Sequence, residues 1–352
     1  MPTASTGVGA AGSVAAPLQH VANRPIVCHV LEQLQHAGVD EVALVAPQWG
    51  IGQLQAAIDA DAPLAPKIVY TPYGSGGVIG DALRTVTEII GESPCLVHAA
   101  DGLLTQPLSE LIGQRPADDD ADMVAYIHLS ADGSAPIATR RLLKLLPVSY
   151  QPDPAENAPG ASPELVGVCL FGPGAIRRIG ESCWLAGETI DPATIGERFV
   201  KSGARLAIES TSGWLHYRGA TAELLAINRF LLDKLEPTEG SPIDDSNRLE
   251  GCVIVHPTAS VQSSTIVGPA IVGPNALVLS AYVGPYTSIG GGSHIEGVEI
   301  ERSIILPGAR ITHIGGRLVG SVVGRDARIF RDFSLPRAIR LNVGDGDEVA
   351  LC

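Results

Sequence analysis

At 352 residues the chain is long enough to bury two separate cores, and its 45% hydrophobic content marks it as globular rather than disordered. A net charge of −14 argues against nucleic-acid or anionic-membrane partners, which demand concentrated Lys and Arg. No apolar run approaches the roughly 18 residues of a membrane helix, and the first twenty residues carry no Lys or Arg with which to begin a signal peptide. Six scattered cysteines without a CxxC pair are expected to be free thiols in a reducing cytoplasm.

In chain order, Pro25 suits a helix start, and Ile26, Val27, Val30, Leu31 and Leu34 form one apolar face that ends at Gly38. A strand is predicted over 42–46, helices over 51–60 and 80–90, and strands over 67–71, 95–99 and 123–127. Near-continuous apolar strands between helices predict a parallel sheet covered on both faces, with Asp101 just past a carboxyl end, where ligands sit. Residues 151–163 read as a loop, 165–171 as a strand and 220–235 as a long helix. Trp184 and Trp214 read as packing residues, and the run Asp118-Asp119-Asp120 as a solvated loop.

The last third has a different grammar. Aliphatic residues recur about every six positions, as in Val272-Gly273-Pro274-Asn275-Ala276-Leu277, Val283-Gly284-Pro285-Tyr286-Thr287-Ser288 and Ile289-Gly290-Gly291-Gly292-Ser293-His294. This is the hexapeptide pattern of a β-helix, with one aliphatic side chain per short strand pointing to the axis. The organisation expected is an α/β domain over 1–236, a linker over 237–250, a β-helix over 251–330 and a closing tail over 331–352. His256, His294 and His313 fall in the repeats; an acyltransferase would use such a His, but surface or corner positions explain them more simply.

Several segments in register resemble the long-form glucose-1-phosphate thymidylyltransferases of the sugar-nucleotide pyrophosphorylase family. They are Val21-Ala22-Asn23-Arg24-Pro25-Ile26, Leu165-Val166-Gly167-Val168, Asn228-Arg229, Val283-Gly284-Pro285-Tyr286-Thr287-Ser288 and the stretch 299–304. The resemblance implies a Rossmann-like nucleotidyltransferase domain followed by a left-handed β-helix. It also implies joining of a sugar 1-phosphate to a nucleoside triphosphate with release of pyrophosphate, assisted by Mg²⁺. Two polyanions meet in that reaction, so basic groups, a glycine-rich loop and metal-holding carboxylates are required.

This chain departs from that pattern at several places. Gly9, Gly12 and Ser13 match an eroded remnant of the nucleotide-binding loop, but no Arg or Lys follows; Arg24 is the one basic residue before Lys67. In the segment Tyr70-Thr71-Pro72-Tyr73-Gly74-Ser75-Gly76-Gly77, Tyr73 stands where the family reads the base with Gln, and Gly77 closes the loop. Tyrosine stacks but lacks the paired amide contacts. Asp101 matches the first metal carboxylate, Val166 and Gly167 match the sugar-binding segment, and Tyr217 stands where the second metal Asp belongs. The EKP motif has at most a trace at 145–148. Losing one phosphate-neutralising group costs about 2.7–4 kcal/mol of transition-state stabilisation. The expectation is therefore a homologue with lost or reduced catalysis and a regulatory or assembly role; the alternative is an active enzyme with atypical substrates. The partners expected are a sugar phosphate or nucleotide, and other subunits in a homo-oligomer or a hetero-oligomer with an active paralogue.

Overall fold

The structure, a computed structural model, describes residues 16–61, 66–73, 86–113, 121–130, 162–175, 177–178, 192–236 and 246–331. Two compact units divide the chain, Met1–Lys234 and Leu235–Cys352.

In the first unit a short hairpin, β1 (His20–Val21) and β2 (Arg24–Pro25), turns through Ala22 and Asn23, both in the left-handed region at φ 47° and 66°. Two successive positive φ values make the tight reversal that matches strand twist. Helix α1 (Ile26–His36) follows directly from Pro25 and buries Ile26, Val27, Val30, Leu31 and Leu34, the face expected from the sequence. Strand β3 (Glu41–Pro47), helix α2 (Gln48–Asp59) and strand β4 (Lys67–Tyr73) form a β-α-β unit in which β3 and β4 pair in parallel. After helical residues 86–90 come β5 (Cys95–His98), β6 (Gly102–Leu104), α3 (Leu108–Gly113), β7 (Met123–Ser130) and β8 (Ser162–Phe171). The unit continues with α4 (Pro192–Lys201), β9 (Leu206–Ser210), β10 (Trp214–His216) and α5 (Thr221–Leu232).

The fully parallel sheet expected from the sequence is corrected. Strands run in the order β5-β8-β7-β9, and β8 is antiparallel to both β5 and β7. An apolar run is the same in either direction, because burial on both faces, not polarity of pairing, dictates composition. Met123, Ala125, Cys169 and Phe171 from this sheet pack with Ile195 and Phe199 of α4. The strand also takes in residues 162–163, which composition assigns to a loop.

The second unit is a left-handed parallel β-helix of five turns. Each turn contributes one strand to each of three five-stranded parallel sheets. The first face runs Arg248–Glu250, Thr265–Val267, Tyr282–Val283, Glu299–Glu301, Arg317–Val319. The second runs Val253–Val255, Ala270–Val272, Thr287–Ile289, Ile304–Ile305, Val322–Val323, and the third Ser260–Gln262, Leu277–Leu279, His294–Glu296, Arg310–Thr312, Arg328–Phe330. The first of these strands lies inside the stretch that composition assigns to the linker.

Residues one turn apart are separated by 17 positions in the early turns, then by 16 or 18. The axis is filled by Val261, Ile266, Val272, Val278, Val283, Ile289, Ile295, Ile300, Ile305 and Ile311, at intervals of five or six. Burying this column supplies the driving force, at about 25 cal/mol per Å² removed from water. Corners need left-handed backbone: Asn275, Gly292, Gly308 and Asp326 stack at one corner with φ of 56°, 67°, 76° and 53°. Glycine and short amide or carboxylate side chains are the residues that accept this conformation with least strain.

Candidate functional site

The residues matching the family's metal and sugar positions converge on the edge between β5 and β6. Asp101 occupies the connection between these strands. Strand β10 pairs antiparallel with β6, placing His216 opposite Gly102, and the Tyr217 N–H then donates to the Asp101 carbonyl over 3.0 Å. Tyr217 therefore stands beside Asp101, and it is buried. The neighbouring His216 approaches the carboxylate, its Nε2 lying 3.2 Å from Asp101 Oδ1.

Val166 and Gly167 reach the same place from β8. Gly167 accepts the Ala99 N–H over 2.7 Å, and Val166 is fully buried. Trp214 explains the glycines here. A Cβ on Gly102 would collide with its indole, and one on Gly167 would lie 2.6 Å from both the indole and Ala99 Cβ. The indole is also 5.6 Å from the His98 ring and 5.9 Å from the His216 ring. Burial holds the His98 pKa down to about 4, so the ring is neutral. Its Nδ1 donates to the Ala99 carbonyl over 2.7 Å, leaving Nε2 as a buried acceptor without a partner.

Basic groups near the site are already engaged. Arg218 spans Glu164 and Glu223, each at 3.0 Å. Glu223 also accepts the N–H groups of Arg218 and Ala220 at the start of α5. Burial opposes its charge, but those two N–H groups and the guanidinium outweigh burial and hold its pKa below the usual value. Arg24, the one cation in the first 66 residues, bonds Asp61 through Nε and Nη2 (2.7 Å for the latter) and Glu32 through Nη1 at 2.8 Å. A guanidinium saturated by two carboxylates has little left to offer a triphosphate.

Among the described residues of this cluster, Asp101 is the one carboxylate open to Mg²⁺, which takes one or two carboxylates together with waters and substrate phosphates. Glu164 and Glu223 are committed to Arg218, the Asp101 Oδ1 faces an imidazole, and the Tyr217 backbone N–H is bonded to the Asp101 carbonyl. No group of three His, Cys, Asp or Glu side chains among the described residues is disposed for a metal. Mg²⁺ demands oxygen ligands in near-octahedral array.

The other site residues named from the sequence are not all placed. Gly9, Gly12, Ser13 and Gly77 lie outside the described residues, as do 118–120, 145–148 and Trp184. Tyr73 ends β4, its backbone opposite Pro47. Sequence reasoning missed His98 and His216 as members of the cluster; the signal for His216 was its place directly before Tyr217. The described cysteines, Cys28, Cys95, Cys169 and Cys252, form no disulfide, and burial pushes the Cys28 and Cys95 thiols up to about 12. Among the described residues no helix is long and apolar enough to cross a membrane.

No family model matches the chain. A glucose-1-phosphate thymidylyltransferase of Streptomyces antibioticus is 27% identical over 366 residues, covering 97% of this chain and 98% of that protein. One from Streptomyces griseus is 26% identical, covering 96% of each. The low-salt glycan biosynthesis nucleotidyltransferase Agl11 of Haloferax volcanii is 24% identical, covering 97% and 98%. The likeness to these sugar-nucleotide nucleotidyltransferases runs the length of both chains, and it accompanies an α/β unit followed by a β-helix.

Proposed function

We propose that this chain is a divergent sugar-1-phosphate nucleotidyltransferase homologue in which metal-dependent nucleotidyl transfer is lost or strongly reduced, and that it serves as a regulatory or assembly subunit. The observation that carries this reading is the Asp101–His216 pair with Tyr217 beside it, where the reaction needs two carboxylates around Mg²⁺. Commitment of Arg24 to Asp61 and Glu32 supports it, since the triphosphate then lacks a cation from the first 66 residues. The ligand retained on this reading is a sugar phosphate or nucleotide, its sugar held by Val166 and Gly167 and its nucleotide by the loop of Gly9, Gly12 and Ser13 and the segment of Tyr73 and Gly77. Assembly proceeds through the β-helix, as a homo-oligomer or with an active paralogue.

The test is pyrophosphate release with Mg²⁺ across a panel of nucleoside triphosphates and sugar 1-phosphates, with Asp101→Asn alongside. No release from folded protein is expected. Release that requires both substrates and disappears in Asp101→Asn would instead establish an active enzyme with atypical substrates. Light scattering at micromolar concentration tests assembly, and a monomer would count against it.

A further inference from the structure

In the β-helix, almost every basic side chain is matched. Arg248 pairs with Glu250, Arg302 with Glu301, and Arg317 with Glu299 and Glu301. Arg310 and Arg328 break this rule. Among the described residues they are the Lys or Arg side chains that form no hydrogen bond, ion pair or ring contact, and they are directly opposite each other on adjacent strands of the third face. Adjacent strands lie about 4.8 Å apart, so two like charges are held side by side in a protein of net charge −14. Such a pairing destabilises a sheet. The nearby carboxylate on this face, Glu296, does not relieve it, because it faces His294 at 3.1 Å and His313 at 3.6 Å.

The two arginines border an open cavity of about 510 Å³ lined also by Gly292, Gly308 and Asp326. The glycines belong to the corner column of left-handed residues, so corner geometry accounts for them. The open space lies at Gly292, where an added Cβ would meet nothing within 4 Å, and Asp326 borders it. The Asp326 carboxylate lies over Gly308, where a Cβ would collide with it. The backbone N–H groups of Gly292 and Gly308 are spent on Pro274 and Gly291, so the groups left to bind a ligand are two guanidiniums and one carboxylate.

We propose that this recess binds a phosphorylated sugar or nucleotide: Arg310 and Arg328 bridge its phosphate, and Asp326 accepts from its hydroxyls. Two long, forked cations one rung apart can converge on the oxygens of one phosphate or span a diphosphate, and each charge-assisted bond is stronger than a neutral one. The volume suits a small ligand. The site lies wholly within the β-helix and stands or falls independently of Asp101 and of the activity proposed above.

Calorimetric titration of the full chain with inorganic phosphate, pyrophosphate, glucose 1-phosphate and a nucleoside diphosphate tests it. Saturable binding of at least one phosphate compound is expected, weakened about tenfold or more by Arg310→Gln or Arg328→Gln and unaffected by Arg248→Gln. Asp326→Asn is expected to reduce the preference for the sugar compounds over inorganic phosphate. Without ligand, Arg328→Gln is expected to melt at the same or a higher temperature than the parent chain, because it removes like-charge repulsion; this separates lost binding from lost folding. Absence of binding by the parent chain at millimolar ligand, or binding unchanged in Arg310→Gln/Arg328→Gln, overturns the proposal.

Discussion

His216 Nε2 lies 3.2 Å from Asp101 Oδ1, brought there by the antiparallel ladder between β6 and β10. About a quarter of each side chain remains exposed, 29% for His216 and 25% for Asp101. The carboxylate that the family resemblance assigns to a metal thus faces an imidazole.

A partly exposed pair of this kind contributes little to folding. Asp101→Asn is expected to change the unfolding free energy by less than about 1 kcal/mol. Urea denaturation measures this; a loss above about 3 kcal/mol would mean that the pair is far more desolvated than the structure has it.

Gly102→Ala and Gly167→Ala should each destabilise the first unit by about 1–3 kcal/mol, because the added methyl meets the Trp214 indole. Trp214→Leu makes room, so the double variant Gly102→Ala/Trp214→Leu should lose less than the sum of its parts. A coupling of about 0.5 kcal/mol or more is expected from denaturation midpoints, and strict additivity would contradict this packing.

His29 and His98 give the first unit an acid sensitivity. Burial holds both pKa values down to about 4, in His29 with help from the Arg24 charge. In the unfolded chain the rings titrate near 6.5, so below that pH the unfolded state binds protons that the folded state refuses. Stability is therefore full above about pH 6.5 and declines as pH falls towards 4, with a slope of up to about 1.4 kcal/mol per pH unit for each histidine. His29→Gln should flatten the profile of unfolding free energy against pH; an unchanged slope would rule His29 out as a contributor.

In the β-helix, Gly290→Ala should be costly without any unusual φ. The new Cβ would sit 2.5 Å from Pro307 N and 2.8 Å from Ile305 O, backbone atoms of the next turn that cannot swing aside. Ile300→Ala removes a fully buried axial side chain and should cost about 2–5 kcal/mol. Both should lower the melting temperature of the β-helix, whereas Arg325→Ala on its exposed surface should leave it nearly unchanged.

The sequence by itself determined the β-helix, because one inward aliphatic residue per short strand is a one-dimensional pattern that nearest-neighbour stacking converts directly into structure. It determined α1 for the same reason, through the spacing of Ile26, Val27, Val30, Leu31 and Leu34. It also carried the family signature, and the structure joins two of those segments: the buried Asn228 side chain accepts the Ala22 N–H over 2.8 Å. Only tertiary structure decided the direction of β8, since burial does not encode polarity of pairing. It likewise decided which charges meet. Arg24 is saturated by Asp61 and Glu32, Asp101 faces His216, and Arg310 stacks on Arg328 without a counterion among the described residues. Distance in space, not order in sequence, sets the strength of a Coulomb interaction, so only folding decides whether Arg24 meets Asp61 or Asp101 meets His216.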